Sequence, residues 1–160
     1  MIIKSAAIFM PLVAILIAHV TPPQKQMKYS VLAIEYVGFS NKPIPPIVIS
    51  DTEAGAEYYQ KTILNSDKWD LVAVHVVNAA LLERLIAQAE LFERTVHGKE
   101  EEISGLAKTV SVTIITAEGK KTFLYGTESA TSYLDSLEQH CRDDESLRSD
   151  IVYFQKRIRR

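Results

Sequence analysis

The side chains with the greatest chemical reactivity lie together near the C-terminal end of the chain. His140 is followed directly by Cys141, and Asp143 and Asp144 come shortly after. A cysteine nucleophile needs an exposed thiolate and a base within hydrogen-bond reach. Adjacent residues of a helix, however, point about 100° apart, so the imidazole and the thiol do not face one another. Cys141 also continues an apolar stripe of its helix, which predicts a buried thiol without a catalytic role.

Two of the other histidines lie where structural roles are common. His75 belongs to an alternating apolar run, in which an imidazole could act as a base or as a metal ligand. A metal site would need two or more further ligands, and the sequence has no His-x-x-x-His or Cys-x-x-Cys spacing. We therefore predict that His75 is a hydrogen-bonded structural residue and that His97 interacts with the last carbonyls of a helix. No catalytic residue, metal ligand or cofactor site is predicted.

The end of the chain carries a dense cluster of positive charge. Residues 148–160 include five basic residues and one acid, a net charge of +4, whereas residues 19–147 carry a net charge of −7. Some cations are expected in a last helical turn because they complement the helix dipole. Four basic residues in five positions exceed that need, so the alternative is a site that binds an anionic surface. Its candidate residues are Lys156, Arg157, Arg159 and Arg160.

The first 18 residues have the layout of a secretory signal peptide. Every residue from Ala6 to Ala18 is apolar, and Lys4 is the only charged side chain before them. A membrane-spanning helix needs about 20 apolar residues, whereas the apolar part of a signal peptide has roughly 7 to 15. Pro11 would also kink a short spanning helix. We therefore predict that residues 1–18 are a signal peptide of a periplasmic or extracellular protein; retention as an uncleaved membrane anchor is the alternative.

The rest of the chain has the size of one domain. Residues 19–27 contain two prolines and no apolar periodicity, which predicts a linker, and residues 28–160 predict a single domain. Cys141 is the only cysteine, so no disulfide can form within the chain. Packing alone must hold the fold.

Five strands are predicted from apolar alternation and turn residues. The run at 31–37 is apolar on both faces, which predicts a central strand, and IVIS at 47–50 predicts a second strand after a proline-rich loop. The apolar run that follows fits either a strand or a buried helix, and its valine content favours a third strand at residues 71–77. The runs TVSVTIIT and KTFLYG flank AEGK and predict a β-hairpin, in which Gly119 supplies the positive φ angle of the turn.

Four helices are predicted between and after these strands. Ser50 and Glu53 have capping-box spacing and predict the start of a helix that ends near Asn65. Asn78 predicts the N-cap of a second helix with a wide apolar stripe. The last two helices have apolar stripes at Ala130, Leu134, Leu137 and Cys141, and at Leu147, Ile151, Phe154 and Ile158. These elements predict an α+β fold of order β-β-α-β-α-β-β-α-α, in which a mixed, largely antiparallel sheet of about five strands carries the helices on one face.

Two classes of function fit these features. The first is an exported, non-catalytic module that binds a protein partner or an anionic envelope surface, and the second is a small exported hydrolase with an unrecognised active site. The absence of any motif with catalytic spacing favours the module. Basic and aromatic residues do not alternate along any strand, so a nucleic-acid partner is not expected. An enzyme would instead need a pocket with convergent polar groups and titratable residues of shifted pKa.

Overall fold

The structure is a computed structural model, and it describes residues 29–38, 42–64, 71–96 and 109–160. The predicted signal peptide (1–18), the predicted linker (19–27) and His97 lie outside the described residues. Among the helices that the structure describes, none is both long enough and apolar enough to cross a membrane.

Within the described ranges the chain forms five strands, four α-helices and one π-helical turn, in the predicted order. The strands are β1 (Val31–Tyr36), β2 (Ile47–Ser50), β3 (Ala73–Val76), β4 (Thr109–Thr116) and β5 (Gly119–Gly126). The helices are α1 (Glu53–Tyr58), α2 (Ala79–Val96), α3 (Thr127–His140) and α4 (Glu145–Ile158), and the π-helical turn Tyr59–Leu64 continues α1.

The strands form one mixed sheet in the spatial order β3-β2-β1-β4-β5. Only β2 and β3 pair in parallel, and the other three pairs are antiparallel. β1 lies in the middle and its first four residues are fully buried, as its apolar faces predict. The hairpin β4–β5 turns as expected, with Gly119 at a φ of +130°. These findings confirm the predicted α+β class.

The helices cover both faces of the sheet, which corrects the expectation that they lie on one. The buried stripes of α2, α3 and α4 pack against Leu32, Ile34 and Ile49 on one face. α1 and the π-helical turn pack against Val31 and Val48 on the other. Connections between parallel strands are right-handed almost without exception. The connection from β2 to β3 contains α1 and runs towards one edge of the sheet, whereas the connection from β3 to β4 contains α2 and runs back across the sheet. A right-handed turn in each connection therefore places α1 and α2 on opposite faces.

The start of α1 differs from the predicted capping box. Thr52 is the N-cap, and its hydroxyl accepts a hydrogen bond of 3.0 Å from the Gly55 amide. Ser50 is still part of β2, where its hydroxyl donates to the Ser30 carbonyl at 2.9 Å. The sheet therefore holds the serine that would otherwise cap the helix. The predicted N-cap of α2 is confirmed, since the Asn78 side chain accepts from the Leu81 amide at 2.7 Å.

Candidate functional site

The His140–Cys141 pair does not form a nucleophilic site. The Cys141 side chain is buried in the core at the end of the α3 stripe, as predicted. Burial raises the pKa of this thiol to about 11, and Asp144 adds to the rise while Arg84 opposes it. His140 is exposed, and its Nδ1 donates to the Ser136 carbonyl of its own helix at 2.8 Å. A protonated, buried thiol without an imidazole partner is not a nucleophile.

His75 is a hydrogen-bonded residue of β3, as its position in the sequence predicted. Its Nε2 lies 2.7 Å from Oδ2 of Asp150 in α4. The histidine side chain is nearly buried and the aspartate is part-exposed, so the pair ties the edge strand β3 to the last helix. In the part of the chain that the structure describes, no group of three His, Cys, Asp or Glu side chains could hold a metal ion.

The four basic residues of the C-terminal cluster differ in their surroundings. Arg157 donates to the Lys42 carbonyl at 3.0 Å, and its guanidinium lies 6.0 Å from the centre of the Tyr153 ring. Arg159 is 3.8 Å from the Asp135 carboxylate. Lys156 and Arg160 are exposed and make no ion pair with another described residue. The sequence cluster therefore contains two cations that contact the body of the domain and two that extend into solvent.

A concave feature that was not predicted from the sequence lies elsewhere, in a groove between α2 and α3. Its volume is about 450 Å³, within the range of small-molecule sites. The helices run antiparallel, because Gln88 of α2 meets Ser136 of α3 and the later Phe92 meets the earlier Tyr133. The groove is lined by Arg84, Ala87, Gln88, Leu91, Phe92, Thr95, Ser136 and His140.

Gln88 is the unusual residue of this groove. Its side chain is only 8% exposed, and its Nε2 donates to the Ser136 hydroxyl at 2.9 Å. Its Oε1 is buried and accepts no hydrogen bond from any described residue. A buried acceptor without a donor destabilises a fold by about 1–3 kcal/mol, so such atoms are rare unless a ligand or water completes them. Rotating the amide by half a turn would exchange its two polar atoms and still leave one without a partner.

The groove has a polar half and an apolar half. Arg84 lies one helical turn before Gln88, on the same side of α2, and His140 is on the facing end of α3. One turn after Gln88 the walls are formed by Leu91 and Phe92, and Leu91 is 56% exposed. An exposed leucine beside a phenylalanine and a cation at the opposite end would suit an amphiphilic ligand.

The sequence contained one signal for this site, which is the polar Gln88 within the apolar stripe of α2. Gln88 falls three residues after Leu85 and four before Phe92, so it occupies a core-facing position of α2. A polar residue at such a position needs a partner, and the sequence alone does not reveal that Ser136 satisfies only half of the amide. The site was therefore absent from the predicted residues.

The titratable groups with a raised pKa do not line the groove, and most of them lie in the packed interior. Burial raises the pKa of Tyr125 and of Tyr133, which pack behind Phe92. On the opposite face, burial raises the pKa of Glu35 and of Tyr59, whose side chains are neighbours. The hydrolase alternative requires shifted groups and a concave site together. In the described groove the two are separate.

Comparison of the chain with protein-family models, with curated proteins and with solved structures found no match.

Proposed function

We propose that this protein is a small exported binding module without a catalytic role, and that the groove between α2 and α3 is its binding site. One observation carries the proposal: Gln88 lines the groove, and its buried side-chain oxygen is an acceptor that no described residue satisfies. The energetic penalty of that acceptor is recovered when a ligand donates to it. A groove with a polar and an apolar half also matches the usual composition of a ligand site.

The test of this site is a fragment titration followed by NMR on the protein recovered from an exporting host. We expect bound fragments to shift the Gln88 side-chain amide and the backbone amides of α2 and α3 that line the groove. A Gln88→Met variant keeps the side-chain length but has no strong acceptor, and should bind the same fragments about tenfold more weakly. It should remain folded, because the change also removes a buried unpartnered atom.

Gln139→Met is the matched control. Gln139 is an exposed residue of α3 that does not line the groove, so its replacement should leave fragment affinity unchanged. Shifts confined to residues outside the groove, or equal affinity in Gln88→Met and in the unchanged protein, would contradict the proposal.

Export is the cellular part of the proposal and rests on the first 18 residues. Their short apolar run after Lys4 supports a cleaved signal peptide more than a membrane span. The measurement is the intact mass of the protein after expression in an exporting host. A chain that begins after about residue 18 is expected. A chain that still carries residue 1 and is recovered only with detergent would favour the anchor instead.

A second candidate function, attraction to an anionic surface, is favoured by the exposure of Lys156 and Arg160. Arg159 adds to them, because its ion pair with Asp135 joins two exposed side chains and such pairs contribute little. This function uses the end of α4 and is independent of the groove.

A further inference from the structure

We propose that the groove between α2 and α3 recognises the C-terminal end of a peptide. The proposed order is a carboxylate at Arg84, the last peptide bond at Gln88 and Ser136, and an apolar penultimate side chain on Leu91 and Phe92. This inference rests on the proposed function and names the ligand of the same groove. The sequence of polar and apolar groups along α2 determines the order of the ligand's groups.

The peptide bond is specified by two hydrogen-bonding groups of the groove residues that no described residue completes. The Gln88 Oε1 needs a donor. The Ser136 hydroxyl already accepts from Gln88 Nε2, so its own hydrogen remains available, and no described residue accepts it. A secondary amide offers one N–H and one C=O side by side, and therefore completes both groups at once. It would do so in either orientation of the Gln88 amide, because it carries both a donor and an acceptor.

The carboxylate is specified by Arg84. This residue is exposed, lines the groove and makes no ion pair with another described side chain. It precedes Gln88 by four residues, so the two side chains lie about 5–6 Å apart at their bases on one side of the helix. That spacing suits a ligand whose carboxylate carbon is two bonds from its amide nitrogen, as in a C-terminal residue. Guanidinium groups bind carboxylates through paired hydrogen bonds.

The remainder of the peptide follows from the apolar half. Beyond the amide, the ligand continues on its acyl side, where Leu91 and Phe92 form the walls. An apolar penultimate side chain would cover Leu91, which is otherwise more than half exposed. Ala87, Leu91 and Thr95 are all exposed, so the groove is open to solvent along its side and leaves room for the chain that precedes these residues.

The experiment measures the affinity of three probes by NMR titration of the protein recovered from an exporting host. The first probe is acetyl-alanyl-leucyl-glycine with a free carboxylate, and the second is its C-terminal carboxamide. The third is the ester analogue in which glycolic acid replaces glycine, so the last N–H is missing. We expect the free acid to bind about fivefold more tightly than the carboxamide at low salt, and about tenfold more tightly than the ester. The preference for the acid should shrink as salt is raised.

Two variants assign these preferences to residues. Arg84→Gln should abolish the preference for the acid over the carboxamide, and Gln88→Met should abolish the preference for the amide over the ester. Arg94→Gln is the matched control, because Arg94 is an exposed arginine of the same helix that does not line the groove. It should keep both preferences. Melting curves of each variant establish that it is folded.

The inference is overturned if the unchanged protein binds the acid and the carboxamide equally, or if either preference survives in its matching variant. In that case, shifts of the groove amides by all three probes would still support the groove as a binding site. If none of the three probes shifts a groove residue, peptide recognition is also wrong, and the fragment titration alone decides whether the groove binds other ligands.

Discussion

At the scale of single residues, Cys141 shows how spacing along a helix can determine the chemistry of a side chain. The residue completes the stripe of Ala130, Leu134 and Leu137, and all four are buried against the sheet. The same burial raises the pKa of the thiol to about 11. At neutral pH the group is therefore protonated and behaves as a small apolar side chain.

Replacement of Cys141 by serine should destabilise the protein. Cys141→Ser places a more polar hydroxyl in the space of the thiol, and we expect the free energy of unfolding to fall by about 1–3 kcal/mol. Chemical denaturation measures this change. The unchanged protein should react with a thiol reagent only slowly until it is unfolded, and rapid labelling of the native protein would show that the thiol is accessible.

Glu35 gives a prediction of pH dependence. Burial raises the pKa of its carboxyl above the ordinary value of 4.5, while the Tyr59 hydroxyl and Lys120 oppose the rise. A raised pKa in the folded state means that the folded protein binds the proton more tightly than the unfolded chain does. The ionised Glu35 carboxylate therefore lowers the free energy of unfolding. The loss is absent below the pKa of Glu35 in the unfolded chain, and it is complete above its pKa in the folded protein.

The variant Glu35→Gln tests this sign. We expect it to raise the melting temperature relative to the unchanged protein at pH about 7, and the difference to disappear towards pH about 3.5, where both side chains are neutral. Glu118→Gln is the control, because Glu118 is exposed in the β4–β5 turn and its carboxylate makes no ion pair with another described residue. A lower melting temperature for Glu35→Gln at neutral pH would show that the ionised carboxylate is stabilising.

Helical and strand periodicity in the sequence predicts the surroundings of some of these residues and not of others. Cys141 and His75 were predicted because helical or strand periodicity places them next to known apolar neighbours. Gln88 was not predicted, because its role depends on a hydrogen bond with Ser136, which lies 48 residues away in the chain. That bond uses the amide nitrogen and leaves the amide oxygen without a partner. The raised pKa of Glu35 likewise depends on α1 and the π-helical turn covering the opposite face of the sheet.

At the scale of elements, the type and order of the helices and strands followed from the sequence, but the face on which α1 packs did not. The strand order in space decides that face through the handedness of the connections. The sequence does not show that β3 lies at the edge beside β2 while β4 lies on the far side of β1. The helix start was misplaced for a related reason, since pairing of β2 extends through Ser50.

The junction between β2 and α1 can be tested at Gly55. In an ordinary helix, replacing glycine by alanine stabilises the protein by about 0.5–1 kcal/mol. Here a Cβ atom at residue 55 would overlap the Ser50 Oγ and lie 3.0 Å from the Tyr29 Cβ. We therefore expect Gly55→Ala to destabilise the protein by about 1–3 kcal/mol instead, measured by chemical denaturation.

A double-mutant cycle identifies the cause. Ser50→Ala removes the hydroxyl that the new Cβ would overlap, so Gly55→Ala should be less damaging in that background. An equal loss of stability with and without the Ser50 hydroxyl would show that the contact with Ser50 is not what requires glycine.

At the scale of the whole molecule, charge is the property that divides the chain most clearly. Residues 148–160 carry +4 and residues 19–147 carry −7. The fold brings part of this positive charge back to the body, because Arg157 contacts the Lys42 carbonyl and Arg159 pairs with Asp135. The sequence shows the imbalance of charge but not these contacts, which join residues far apart in the chain.

The contacts of the C-terminal cluster determine how its binding to an anionic surface should be tested. Arg157 has a structural contact, so its removal would confuse affinity with stability. Lys156→Gln combined with Arg160→Gln avoids this problem, because both side chains are exposed and make no ion pair with another described residue. The probe is a vesicle containing phosphatidylglycerol, compared with a vesicle of phosphatidylcholine alone.

An exposed cation near an anionic surface contributes about 1 kcal/mol, so loss of two should weaken binding to the anionic vesicle by about 30-fold at low salt. The melting temperature should remain nearly unchanged. Arg94→Gln with Arg142→Gln removes the same charge from exposed positions outside α4 and should weaken binding far less, because attraction fades beyond a Debye length of about 8 Å. If both double variants lose the same affinity, net charge rather than the end of α4 drives the attraction. If the unchanged protein shows no salt-sensitive binding, the basic cluster serves only as the end of a helix.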